Sequence, residues 1–145
     1  MRNSTNTILK IFYRYGYEPT LEPVDKTKEL RISINIGGGV LSFYSEGSNE
    51  LSYSLSFRYG GKLNGEKVIE LYRIFRTDRS TCFSSLDYNE STGEISLIGH
   101  RAEDEITPML TEFILEESVS LRTVFKIREI ARAATEIPDQ YQKEN

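Results

Sequence analysis

Few residues in this chain could carry out chemistry. There is one histidine, His100, and one cysteine, Cys82. A single cysteine excludes an internal disulfide and a thiolate zinc cluster. Paired with His100, the Cys82 thiol could be activated as a nucleophile. That needs the two segments holding them to lie side by side with those ends adjacent, and no neighbouring carboxylate orients the imidazole. Cys82 is therefore read as a small buried hydrophobe and His100 as a surface or strand-edge residue. The acidic run Glu103, Asp104, Glu105 lacks the spaced oxygen ligands and glycine of a calcium loop, and reads as a solvated helix start. Glu116 and Glu117 are adjacent on a helix and point apart, so they do not form a carboxylate pair. The chain thus presents no catalytic, cofactor-binding or metal-binding constellation, and the expectation is a non-enzymatic protein.

The remaining candidate is "NIGGGVLSFYS" at residues 35 to 45. A phosphate-binding loop would be followed by a helix whose first amides face the anion, with Gly-Lys-Ser/Thr at its start. Here an alternating segment follows instead. The glycines are read as the tight turn of a β-hairpin, where positive φ is needed.

The elements around these residues follow from periodicity. Ile8, Ile11, Phe12 and Tyr15 share one face of a helix over 6–16, capped by Ser4, Thr5 or Asn6 and ended by Gly16. Pro19 and Pro23 hold the chain extended after it. "LRISINI", "VLSFYS" and "LSYSLSFRY" alternate apolar with polar residues, as three antiparallel strands covered on one side do. "EGSN" at 46–49 is the second turn. A helix follows in "GGKLNGEKVIELYRIFRTDRS", with Val68, Leu71, Tyr72 and Phe75 as its stripe and Ile69 and Ile74 on the flanks. The surplus apolar surface, Ile69, Tyr72 and Ile74, reads either as a broad core stripe or as a surface for a second subunit. "TCFSSLDY" and "GEISLIGH" form a second hairpin across "NESTG". The last 40 residues are mostly helical, with Ile106, Met109, Leu110 and Phe113 as one stripe, then Val124, Ile127 and Ala131. Glu117 and Ser120 interrupt that stripe, which predicts a kink or break over 116–120 capped by Ser118 or Ser120.

The fold class is therefore α+β: helix, three-strand antiparallel meander, helix, two-strand hairpin, C-terminal helix. The chain of 145 residues is read as one domain, ordered over 6–134, with residues 137–145 as a frayed polar tail. A net charge of −4 argues against nucleic acid as a partner. No apolar run approaches the roughly 20 residues of a membrane span, and a cytoplasmic protein is expected. The polar side of the strands is rich in serine. Ser33, Ser52, Ser54 and Ser56 either face solvent or receive a partner segment, to which Tyr13, Tyr17, Tyr44 and Tyr59 could add contact area.

This element order resembles the bacterial YbjN-like and type III secretion chaperone-like group over roughly residues 6 to 134. The resemblance rests on "ILKIFYRYGYEP", the meander, "LNGEKVIELYRIF" with Asn64, the hairpin "CFSSLDYNESTGEISLIGH", and the closing helix from "EDEITPMLTEFI". It implies a non-enzymatic homodimer that binds a polypeptide, dimerising largely through the middle helix and neighbouring strand. The alternative is a small-molecule-binding or enzymatic α+β domain with a pocket under the C-terminal helix, near His100 and Cys82.

Overall fold

The computed structural model describes residues 3–24, 30–45, 49–60, 65–78 and 82–144, with side chains described through residue 134. Helix α1 spans Asn3–Arg14 and buries Ser4, Ile8, Ile11 and Phe12. It starts three residues earlier than the pattern predicted, because Ser4 lies inside the helix and donates to Glu103 Oε1 at 3.1 Å. Gly16, at φ +83°, ends it. Tyr17 N–H bonds Phe12 O and Gly16 N–H bonds Tyr13 O, the paired closure of a left-handed C-terminal cap.

Six strands follow in one antiparallel sheet: β1 Thr20–Pro23, β2 Leu30–Ile36, β3 Gly39–Ser45, β4 Glu50–Arg58, β5 Ser85–Asn89 and β6 Glu94–Ala102, in the order β1-β2-β3-β4-β6-β5. The α+β order of helix, meander, helix, hairpin and C-terminal helix holds, with β1 added at the meander's edge. β1 has no apolar alternation to announce it and all of its residues are exposed. It pairs Leu21 with Ile32 because the flanking prolines keep it extended. The glycine turn is the expected hairpin: Gly37 and Gly38 have φ of +54° and +84°, and Ile36 pairs with Gly39. Residues 46–48 of the "EGSN" turn lie outside the described residues. β5 begins at Ser85, so Cys82 precedes the strand.

All the helices cover one face of the sheet. Phe12, Phe43, Tyr53 and Phe83 form a chain of rings with centroids 5.6–5.7 Å apart, and Phe57 meets Phe125 at 5.2 Å. Gly99 on β6 makes room for this chain, because a β-carbon there would overlap the Tyr53 ring and the Cys82 carbonyl. Helix α2 spans Gly65–Thr77 and buries Leu71, Ile74 and Phe75. Tyr72, read both in the stripe and on the surplus surface, is exposed, whereas Ile74, expected on the flank, is buried. Asn64 lies outside the described residues.

The closing helix differs most from expectation. The acidic triplet Glu103–Glu105 is a separate 3-10 turn. Helix α3 then runs unbroken over Pro108–Glu144, so there is no break at 116–120, and the helix takes in residues 137–144. Thr107 caps it, its hydroxyl accepting from Leu110 N–H at 3.1 Å, with Pro108 in the first position where no amide is needed. Its buried side consists of Thr111, Ile114, Leu115, Ser118, Leu121, Arg122 and Phe125, and Met109 is 80% exposed. Thr111 and Ser118 tolerate burial because their hydroxyls donate to the carbonyls of Thr107 and Ile114, one turn back, at 2.9 and 2.7 Å. The Arg122 Nε donates to Gly37 O at 2.9 Å, and its guanidinium lies 4.7 Å from the Phe57 ring centre. This side chain fixes the glycine hairpin to α3. A β-carbon on Gly37 would press against it at 3.3 Å.

Candidate functional site: the open face of the sheet

The face of the sheet away from the helices carries the polar half of the alternation. Strand register arranges it in rows that cross the strands. One row runs Thr20, Ser33, Ser42, Ser54, Ile98, Ser85; a second runs Glu22, Arg31, Tyr44, Ser52, His100. Ser56 and Ser96 face each other in a third. Five strand spacings of about 4.8 Å make the first row roughly 24 Å long.

Hydroxyl groups bond across these rows. Ser33 and Ser42 Oγ are 2.9 Å apart, Ser56 and Ser96 Oγ are 3.0 Å apart, and Ser52 Oγ is 2.7 Å from His100 Nδ1. Ser52 is fully buried on this face, between Tyr44 and His100. Each hydroxyl both donates and accepts, so a serine bonded to its neighbour keeps capacity for a further partner. Arg31 stacks over Tyr44 at 5.0 Å. A shallow depression of about 500 Å³ lies over Ser42, Ser54 and Ser56, with Arg31 and Tyr44 on one side and Arg58 and Glu94 on the other. It therefore offers small hydroxyls in the centre and both signs of charge at the rim.

All four serines singled out from the sequence, Ser33, Ser52, Ser54 and Ser56, share this face. Of the tyrosines expected to join them only Tyr44 does. Tyr59 is buried in the core, Tyr17 packs partly buried against it, and Tyr13 is on α1, across the sheet. Ser42, Ser96 and His100 belong to the face and were not assigned to it. Ser42 alternates with Leu41 and Phe43, and that alternation was the available signal. Of the other surface, Ile69 and Tyr72 are exposed on α2, but Ile74 is 8% exposed and belongs to the core, because it faces the sheet with Leu71 and Phe75.

The chain was compared with known proteins. No family model and no curated protein matches it. A solved structure does: the crystal structure of an uncharacterized protein from Methanothermobacter thermautotrophicus, with a TM-score of 0.58 and 14% identity, covering 92% of this chain and 98% of that one. At that identity the likeness shows a shared fold.

Cys82 and His100 are not brought together. The Cys82 thiol lies on the helix side and donates to Glu117 Oε2 at 3.2 Å, whereas His100 is on the open face with Ser52. The Cys82 carbonyl accepts from the Tyr53 hydroxyl at 2.5 Å. Burial, with the Cys82 sulfur as a secondary cause, pushes the Tyr53 phenol up to about 12. Among the described residues no group of three or more His, Cys, Asp or Glu side chains could hold a metal ion, and no helix is long and apolar enough to cross a membrane.

Proposed function

We propose that the protein is a cytoplasmic, non-enzymatic binding module that works as a homodimer and holds an extended polypeptide against the open face of its sheet. The observation that carries this is the shape of the face: a long, shallow surface of small hydroxyls with charged rims. Small-molecule sites are concave and enclose most of their ligand, and this surface does not. A row of roughly 24 Å matches about seven residues of extended chain at about 3.3 Å each. Serine hydroxyls can bond the backbone of any sequence, while Arg31, Arg58 and Glu94 select charged side chains. Strand addition would use the β5 edge, because prolines bracket β1 at the other edge. The resemblance of the element order to that of secretion chaperones supports the same reading. The enzymatic alternative drew on a Cys82–His100 neighbourhood, and the two side chains stand on opposite faces.

The test is a random-peptide library screened on the immobilised protein, followed by Ser54→Arg. Peptides that bind the native protein and are lost on Ser54→Arg, with the fold intact by circular dichroism, are expected. A library that yields no binder would overturn the proposal.

A further inference from the structure

We propose that the free edge of β5 takes up one strand of the bound polypeptide and selects a segment in which a lysine or arginine stands between two apolar residues. This deepens the reading above and rests on it, because it names the chemistry of the part of the partner that joins the sheet. The added strand is antiparallel, as every neighbouring pair in the sheet is.

The two edges of the sheet differ. At β1, Pro19 and Pro23 bracket the strand and remove amides that an added strand would need. β5, Ser85–Asn89, contains neither proline nor lysine, the residues that commonly guard an edge. Among the described residues no strand pairs with its outer side. Its inner side is fully paired, with Leu86 opposite Leu97 and Tyr88 opposite Ile95. Leu97 and Ile95 are completely buried, whereas Leu86 and Tyr88 pack against the core and are only partly buried. The apolar alternation of the sheet thus runs out to this edge and stops uncovered. A strand beside β5 would set its own apolar residues opposite Leu86 and Tyr88, on the helix side. Those two positions are two residues apart, so the apolar residues of the partner must be too.

Between them stands Asp87, exposed on the open face. It forms no ion pair with a described residue. The row running inward from it is Ser96, Ser56, Val40 and Asn35, which holds no cation. Arg58, one row away, stands opposite Glu94. A side chain directly opposite Asp87 on an added strand has its β-carbon about 5 Å away, where opposite charges attract and like charges repel. A basic residue there neutralises Asp87, and an acidic one is rejected. The same rule disfavours β5 of a second copy. Antiparallel self-pairing centred on Asp87 sets the two carboxylates directly opposite. Centring it on Leu86 or Tyr88 leaves them diagonal, roughly 7–8 Å apart, with no cation in either strand. The edge therefore complements a basic strand and not its own copy.

The experiment uses two end-blocked synthetic peptides, Thr-Val-Arg-Val-Thr and Thr-Val-Glu-Val-Thr, titrated into the isotope-labelled full chain and followed by amide NMR shifts. The arginine peptide should shift the amides of Ser85–Asn89 and bind about threefold or more tightly than the glutamate peptide. Asp87→Asn should remove that preference and Asp87→Arg should reverse it. Asp87 is exposed, and circular dichroism confirms the fold of each variant. No shift at millimolar peptide, equal binding of the two peptides, or an order unchanged by Asp87→Arg would overturn the proposal. So would shifts confined to the serine rows around Ser42 and Ser54. Shifts of the β5 amides that grow with protein concentration before any peptide is added would put a second copy on this edge and overturn it as well. Capture of library peptides lost on Ser54→Arg reports the open face separately. Failure at β5 with that capture intact leaves the binding module standing, whereas a library without binders removes the reading on which both rest.

Discussion

On β4, Tyr53, Leu55 and Phe57 lie under the helices, and Ser52, Ser54 and Ser56 between them face the other way. The same hydrogen-bonded backbone supports both sets. Beneath the helices every position is constrained by packing: rings stack at 5.6 Å, Gly99 is held to hydrogen, and Arg122 is aimed at one carbonyl. On the open face the side chains touch mainly each other. Stability is thus concentrated on one side, and the other side is free to carry recognition without altering the fold. Substitutions on the two faces should separate these properties.

The largest separation should come from Leu55→Ala, which opens a cavity at a fully buried residue and should cost about 2–5 kcal/mol in urea unfolding. Its neighbour Ser54→Ala should fall within about 0.5 kcal/mol of the native chain. Comparable losses at both positions would mean that the open face is covered in solution. Next in size is Arg122→Ala. It removes a charge-assisted bond to Gly37 O and the guanidinium over Phe57, and should cost about 1.5–3 kcal/mol. Amides of the β2–β3 hairpin should then exchange faster with deuterium, while those of β5–β6 should not.

The sequence made the sheet legible because strict alternation leaves little choice of face, and it carried Ser33, Ser52, Ser54 and Ser56 to one surface without error. It was misleading on α3. The apolar residues Met109, Phe113 and Ile127 suggested the core, but the buried side includes Thr111, Ser118 and Arg122. Those residues are admitted by local bonds to carbonyls one turn back and by the hairpin carbonyl, which hydropathy does not register. The break expected at 116–120 came from treating the outer stripe as the inner one. Ile74 was misplaced on the outer flank of α2 for a related reason: the whole helix is amphipathic, and the choice between adjacent flanks depends on how it docks. β1 was missed because an exposed edge strand needs no apolar pattern, only an extended backbone and a partner.

A smaller effect should distinguish the buried hydroxyl of Tyr53 from those across the sheet. Tyr53→Phe leaves the Cys82 carbonyl without this donor and should cost about 1 kcal/mol. Its pH dependence has a definite sign. Folding raises the phenol from its ordinary 10.0 to about 12, so the neutral form is favoured in the folded chain. That stabilisation is intact below pH 10 and is lost as the pH rises through about 12. Melting temperatures of the native chain and of Tyr53→Phe, followed over this range, should converge as it is crossed. A constant difference would show that Tyr53 is not shielded from water as its burial requires.

The smallest effect is expected at Ser52, where the two faces are most alike. Ser52 is as buried as Tyr53 beside it, yet it lies on the open side, between Tyr44 and His100. Ser52→Ala removes one side-chain bond, that to His100 Nδ1, and should cost no more than about 1 kcal/mol. Urea unfolding of the variant beside the native chain measures the difference. If unfolding instead shows a loss as large as that of Leu55→Ala, the row of Tyr44, Ser52 and His100 belongs to a second core, and the open face is narrower by that row.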